Sequence, residues 1–222
     1  MSPYRITIIG AGIIGLTNAC TILREYAFVD DLQLRIVSER FSPETTGDVS
    51  AGYWEPYGFE SIDERTLRWA GYTYEILLSE FFSTKAARAG IMEMAAYTLK
   101  GSTDGNEEQR TTQPEYSRLV RHFRMLDEHE IQMFDHLKPK FGFVMSTVTI
   151  NVRCYLRELT RFLARNSRVK FIRKRIHSFE ELINQTDLII NCSGLGSREL
   201  ANDLTIRPAR GQVITSNQSF SQ

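Results

Sequence analysis

Arg5-Ile6-Thr7-Ile8-Ile9-Gly10-Ala11-Gly12-Ile13-Ile14-Gly15 stands at the head of the chain, and its reading decides the fold. Residues 5–9 are a short β-branched run with the composition of a buried strand. Beyond Gly15, Leu16, Ala19, Cys20 and Leu23 recur at helical spacing through residues 16–26. Between the two lies a G-x-G-x-x-G. That pattern alone is weak, but directly after a strand and directly before a helix it has the context it requires. Gly10 permits a tight turn, Gly12 lets a pyrophosphate approach the backbone, and Gly15 lets the helix pack closely on the strand. The first amides of the helix then face the phosphates, and the helix dipole favours their charge. The stretch predicts a site for the ADP half of a dinucleotide.

Leu32–Ser38 reads as a second strand, which completes a βαβ unit. It ends at Glu39, whose carboxylate can accept hydrogen bonds from ribose hydroxyls. A 2′-phosphate would require neutral or basic groups there, so Glu39 favours FAD or NAD over NADP. Arg40 can stack on adenine or contact a phosphate. Residues 42–58, rich in Thr, Ser, Gly and Pro, form a long loop, a length that usually marks function or disorder.

Further along, residues 62–82 read as a helix with Leu67, Ala70, Tyr74, Leu77, Leu78 and Phe81 on one side. A strand follows at 92–99, a polar loop at 100–115, and a short helix within 126–134 capped by Asp127 with Glu130 three residues on. Phe141–Ile150 is strand-like, and Asn151 can cap a helix running to about residue 165. Strands are expected at 169–176, Leu188–Asn191 and 211–215, with a short helix at 179–183. Alternating strands and helices imply a largely parallel sheet, to which the second strand and those near 170 and 188 belong. The residues between form an inserted region.

Composition removes several function classes. The 27 basic and 27 acidic side chains cancel, which argues against a general nucleic-acid binder. Arg153, Arg157, Arg161 and Arg165 make a stripe, with Arg168, Lys170, Arg173, Lys174 and Arg175 beyond it. Tyr155 and Phe162 lie on other faces, so no stacking platform accompanies the charge, and a solvated helix face is the simpler reading. Cys20, Cys154 and Cys192 lie far apart, which indicates neither a disulfide framework nor a zinc site. His122, His129, His136 and His177 are scattered without an HExxH, so no metal site is expected. His122, Asp127 and Ser117 form a triad only on paper, without a nucleophile elbow. No run reaches the length of a membrane span, and no signal peptide is recognisable, so an intracellular, membrane-free protein is expected.

Thr45-Thr46-Gly47-Asp48-Val49-Ser50-Ala51-Gly52-Tyr53-Trp54-Glu55-Pro56-Tyr57 adds a sharper signal. It resembles the T-T-x-D-V-A-A-G-x-W-x-P-Y segment of the D-amino acid oxidase and D-aspartate oxidase family. Asn191-Cys192-Ser193-Gly194 and Arg207-Pro208-Ala209-Arg210-Gly211-Gln212 resemble that family's N-C-[TS]-G and P-x-R-G-Q. Val169-Lys170-Phe171 and Ser178-Phe179-Glu180-Glu181-Leu182 also fall where the family has similar runs. The similarity runs to about Ser216.

The resemblance implies an α/β fold: a Rossmann-like FAD-binding domain with an inserted, partial α+β substrate domain. The FAD-binding domain would be discontinuous, residues 1–58 plus about 151–216, with the insert at about 59–150 and a tail at 217–222. By resemblance, Ala11, Gly12, Ile13 and Ile14 with Glu39 and Arg40 hold the ADP moiety, and Thr45, Thr46 and Gly47 contact phosphate or ribose. Ala51, Gly52 and Tyr53 lie against the flavin by backbone, and Ile176 and Ser193 lie near the adenosine. Gly47 departs from the family's usual third threonine. Glu55 stands where glutamine is common near the substrate, and its carboxylate would repel a substrate's acid group.

The activity implied is oxidation of D-amino acids: hydride passes to the flavin, the imine hydrolyses to a 2-oxo acid and ammonia, and oxygen takes the electrons to give hydrogen peroxide. The substrate-gripping arginine, the positioning tyrosine and a second glycine-rich flavin segment of the family have no counterparts here. No catalytic residue can therefore be assigned, and the expectation is a FAD-dependent D-amino acid oxidase in a truncated form, whose turnover the sequence leaves open. The alternatives are a D-aspartate oxidase, an NAD-dependent dehydrogenase and a non-catalytic nucleotide-binding fragment. The family also implies a peroxisome and allows a homodimer, but Ser219-Phe220-Ser221-Gln222 is not a peroxisomal address, which leaves the cytoplasm as the alternative.

Overall fold

The computed structural model describes residues 3–57, 62–101, 113–209 and 211. In chain order the first elements are β1 (Tyr4–Ile9), α1 (Ile13–Glu25), β2 (Leu32–Ser38), a 3-10 turn (Thr46–Val49), α2 (Glu64–Phe81), α3 (Ala86–Ala89) and β3 (Ile91–Lys100). A 3-10 turn (Glu115–Leu119) leads to β4 (Arg121–Met125), α4 (Glu128–Gln132), β5 (Phe141–Ile150) and α5 (Val152–Ala164). The chain closes with β6 (Val169–Arg173), a 3-10 turn (Phe179–Leu182), β7 (Leu188–Asn191) and α6 (Ser197–Leu200). These elements form two compact units, Met1–Ala51 with Val152–Gln222, and Gly52–Asn151.

The first unit is a parallel sheet in the order β6-β2-β1-β7. Ile8 of β1 pairs with Ile36 of β2 on one side and Ile190 of β7 on the other, and Leu34 of β2 pairs with Val169 of β6. Ile6, Thr7, Ile8 and Ile9 are all buried, so both faces of β1 are covered, which is why the run is continuous rather than alternating. α1 buries Gly15, Leu16, Ala19, Cys20 and Leu23. α5 buries Val152, Tyr155, Leu156, Leu159 and Leu163 at helical spacing and leaves Arg157 and Arg161 outside. A cluster of Ile9, Val37, Ile176 and Leu182 lies at the C-terminal ends of β1 and β2, with Ile172, Phe179, Ile189 and Leu200 against it.

The second unit is an antiparallel sheet in the order β3-β5-β4. β3 and β5 stay in register from Ile91–Ile150 to Lys100–Phe141. Tyr74, the buried tyrosine of α2, donates its hydroxyl to the Ser146 carbonyl of β5. Trp54 packs on Tyr74 with ring centroids 4.8 Å apart and meets Tyr116 edge-on. Asp63 caps α2 by accepting from the Thr66 amide. Asp127 and Glu130 form the expected capping box of α4.

Three readings shift. The late strand ends at Arg173, not Ile176, because Lys174 has left β2 with a last bond to the Ser38 carbonyl and the chain turns into the apolar cluster. β4 is an element that the sequence hides: its pairing slips between Arg121 and Arg124, with His122 at φ +55°, so Arg-His-Phe-Arg-Met shows no two-residue alternation. Gly211 belongs to no element, and the rest of the strand expected at 211–215 lies outside the described residues, as does most of the 100–115 loop.

Candidate functional site

The turn after β1 is built by backbone contact. The Gly10 amide donates to the Val37 carbonyl at 2.8 Å, and the Cys192 amide donates to the Ile9 carbonyl at 2.8 Å, so the ends of β2 and β7 hold the turn from both sides. Gly10 has φ +111°, and a Cβ there would overlap the Cys192 carbonyl. A Cβ at Gly15 would overlap the Gly10 carbonyl oxygen. Gly12 differs: its φ is −79°, and an added Cβ meets nothing within 4 Å. Protein packing requires glycine at 10 and 15 but not at 12, where the backbone faces a cavity.

That cavity measures about 750 Å³ and sits at the C-terminal ends of the parallel strands, where open α/β sheets bind ligands. Gly10, Ala11, Gly12, Ile13 and Ile14 form one wall. Glu39 and Arg40 form the second, after β2. Thr45, Thr46 and Gly47 form the third, on the 3-10 turn. Ile176 and Ser193 close the far side. Gly15 lies beneath the first wall and does not line the cavity.

The electrostatics follow from the side chains at the rim. Glu39 is half-exposed, with one carboxylate oxygen 4.0 Å from Arg175, whose other partner is Glu199 at 3.1 Å. Arg173 bonds the Glu39 carbonyl and Glu44, which leaves the Glu39 carboxylate open to the cavity. Lys174 pairs with Glu181 at 2.6 Å and, with amides of His177 and Ser178, holds that carboxyl down at about 2. Ser193 donates to the Asn191 side chain at 2.7 Å and shares a bond with Ser197, so its hydroxyl is oriented from behind. Burial pushes the Cys192 thiol up, so it stays protonated beside the turn.

One buried carboxylate behind the third wall is not singled out by the sequence. Asp48 is buried and accepts from Ser42 Oγ at 2.6 Å, Thr45 N at 2.9 Å and Thr45 Oγ1 at 2.6 Å. Burial pushes its carboxyl up, but these hydrogen bonds and the Arg153 charge outweigh it and hold the group below the ordinary carboxylate range. The signal was present: Thr45-x-x-Asp48 is a capping box.

The remaining predicted site residues do not line this cavity. Ala51 is exposed. In the second unit, Gly52 has φ +70° and its carbonyl accepts from the Ile150 amide at 2.7 Å, while Tyr53 bridges Thr149. Glu55 accepts the Tyr116 hydroxyl at 2.7 Å. Burial, then the Glu55 charge, pushes the Tyr53 phenol up to about 12, and burial with the Glu55 bond raises Tyr116 further. Among the described residues, no three His, Cys, Asp or Glu side chains come together as a metal site, and no helix is long and apolar enough to cross a membrane.

A glycine turn between a parallel strand and a helix, with a cavity at the strand ends, is the arrangement of a Rossmann-like α/β fold, and the comparisons with known proteins specify the family. The family described as "DAO: FAD dependent oxidoreductase" matches residues 5–221, and the chain belongs to that family. It is 32% identical over 217 residues to D-aspartate oxidase from Homo sapiens, covering 96% of this chain and 60% of that protein. It is 29% identical over 212 residues to D-amino acid oxidase from Dugesia ryukyuensis, covering 94% of this chain and 60% of the other. The chain therefore spans about 60% of the length of these curated relatives. Among solved structures it is similar in fold to glycine oxidase from Geobacillus kaustophilus, with a TM-score of 0.65 at 11% identity over 92% of this chain and 59% of that one. L-amino acid deaminase from Proteus myxofaciens gives 0.61 at 12% identity, covering 93% and 49%. The Rossmann-like α/β fold and the FAD-dependent oxidoreductase family expected from the sequence are thereby shown.

Proposed function

We propose that the first unit holds the ADP portion of FAD in the 750 Å³ cavity and that the protein is an oxidase of D-amino acids. On this reading, the discontinuous unit is the FAD-binding domain, and Gly52–Asn151 belongs to the substrate domain. The observation that carries it is Gly12: a glycine that packing does not require, facing open space between Gly10 and Gly15, which packing does. A pyrophosphate drawn against the backbone accounts for it.

The residues fit the group. The amides that open α1 lack intrahelical partners and bind phosphate oxygens. Glu39 accepts ribose hydroxyls, and Arg40 lies beside it for adenine or phosphate. Thr46, whose hydroxyl makes no hydrogen bond among the described residues, can donate to phosphate or ribose, with Thr45 and Gly47 shaping the wall. Ile176 gives an apolar surface, and Ser193 a hydroxyl fixed by Asn191. When bound, FAD supplies the acceptor for the hydrogen and electron pair taken from the substrate's α-carbon, and oxygen receives them as hydrogen peroxide. The imine product takes up water and leaves as a 2-oxo acid and ammonia.

A second reading, a D-aspartate oxidase, draws on the 32% identity to the human protein of that name. Glu55 weighs against it, because a carboxylate near an acidic side chain repels it. The purified protein is expected to bind FAD and show flavin absorption, and peroxide release across neutral, basic and acidic D-amino acids separates the two substrate classes. A colourless protein that is stabilised by NAD and not by FAD would sink both.

A further inference from the structure

We propose that Asp48, which does not line the cavity, is the positioning residue that sets FAD affinity, by locking the wall made of residues 44–47. The inference rests on the FAD reading above and adds to it a residue outside the site itself. Asp48 is 5% exposed and stands behind the turn. One carboxylate oxygen accepts the Ser42 hydroxyl, and the other accepts both the amide and the hydroxyl of Thr45. Its own amide donates back to the Thr45 carbonyl at 3.1 Å. Four hydrogen bonds thus tie residues 42, 45 and 48 into one knot, and the span between them, Glu44 to Gly47, is the part that faces the cavity.

A second set of contacts fixes the knot to the fold. Arg153 Nε of α5 donates to the Asp48 carbonyl at 3.4 Å, and the Leu156 side chain lies 3.7 Å from where a Gly47 Cβ would stand. The same helix packs its apolar face on the unit's core, with Leu156 fully buried. The knot therefore connects a polar loop, which has little apolar area to hold it, to a helix anchored by its buried face.

The bonding also assigns different roles to the two threonines. A hydroxyl has one hydrogen to give, and Thr45 gives it to Asp48. Thr45 cannot donate to a phosphate while the knot is closed, whereas Thr46 can. Thr45 is a structural member of the wall; Thr46 is the hydroxyl that reaches the ligand.

The experiment is a titration of the 222-residue chain with FAD, followed by flavin fluorescence, together with thermal melting of the same samples without FAD. In Asp48→Ala the three acceptor contacts vanish, and the FAD dissociation constant is expected to rise roughly tenfold or more through lost preorganisation. Asp48→Asn restores affinity to within a few fold, because its amide oxygen still accepts from Thr45 while its NH2 donates to Ser42. Ser42→Ala, which removes one donor away from the cavity, weakens binding by a smaller factor with an unchanged melting temperature, and it carries the test if Asp48→Ala does not fold. Equal FAD affinity in wild type, Asp48→Ala and Ser42→Ala overturns the inference and leaves the FAD reading intact. Failure of the wild type to bind FAD overturns that reading and this inference with it.

Discussion

The two sheets use their polar groups in opposite ways. In the parallel sheet of the first unit, strand ends leave backbone amides bare at Gly12 and Ile13, and the polar side chains around them, Glu39 and Thr46, stay open to a cavity. In the antiparallel sheet of the second unit, buried hydroxyls are turned inward and matched: Thr147 donates to Trp54, Tyr74 to Ser146, Tyr116 to Glu55, although one Glu93 carboxylate oxygen of β3 has no hydrogen-bond partner among the described residues. The wall proposed to take a charged ligand keeps donors unsatisfied, while the hydroxyls of Thr147, Tyr74 and Tyr116 in the second unit are paired. The glycines sharpen the contrast most. Gly15→Ala drives a methyl into the Gly10 carbonyl and is expected to destabilise the first unit by about 3 kcal/mol or more, read as a lowered melting temperature. Gly12→Ala meets no protein atom and should change stability by about 1 kcal/mol or less, yet weaken FAD binding by roughly a hundredfold by blocking the phosphate. Equal damage to stability from both substitutions would break the distinction between a packing glycine and a ligand glycine.

Two fully buried threonines give the next largest effect. The Thr147 hydroxyl in β5 donates to the Trp54 carbonyl at 2.7 Å, and the Thr7 hydroxyl in β1 has no hydrogen-bond partner among the described residues. Thr147→Val leaves a buried carbonyl without its donor and is expected to cost about 1–3 kcal/mol in chemical denaturation. Thr7→Val removes a hydroxyl that nothing satisfies and should be neutral or stabilising by about 1 kcal/mol. A large loss from Thr7→Val would show that its hydroxyl is bonded after all and that the parallel sheet is no less satisfied than the antiparallel one.

How far the sequence could be read follows the same division. β1, α1 and β2 were legible because their burial is periodic and local: a run covered on both faces, then a helix with one buried stripe. The placement of Glu39 beside the turn followed from that order, since parallel strands in sequence bring their C-terminal ends together. β4 was not legible, because a slipped register at His122 removes the alternation that marks a strand. Asp48 is hard to read in the sequence because Thr45 to Gly47 resembles a row of ligand contacts, whereas the spacing from Thr45 to Asp48 is also that of a cap, and the Thr45 hydroxyl serves it. The pairing of Glu55 with Tyr116 joins residues 61 apart, and no local pattern carries that information.

Alkaline pH gives the smallest effect and the most selective one. Tyr53, Tyr74 and Tyr116 all lie in the second unit, and all three phenols are raised, first by burial. A raised group contributes stability that is complete below its unfolded value, near 10, and is lost as pH climbs toward the folded value. For Tyr53 that window is 10 to about 12. Asp48 in the first unit works in the opposite direction: its lowered carboxyl supports the fold above its ordinary value of 3.8 and loses that support only as pH falls below it. Raising pH from 10 to 12 should therefore loosen the second unit first. Of the nine tyrosines, these three are expected to add the last part of the phenolate absorption only above pH 11, coinciding with loss of the near-ultraviolet circular dichroism of Trp54, which packs against Tyr74 and Tyr116. Tyr116→Phe removes one of the three titrating groups together with the bond to Glu55, and the loss should become shallower. Phenolate absorption that is complete for all nine tyrosines below pH 11 while the Trp54 signal persists would show that these hydroxyls of the second unit are open to water, as the first unit's Glu39 is.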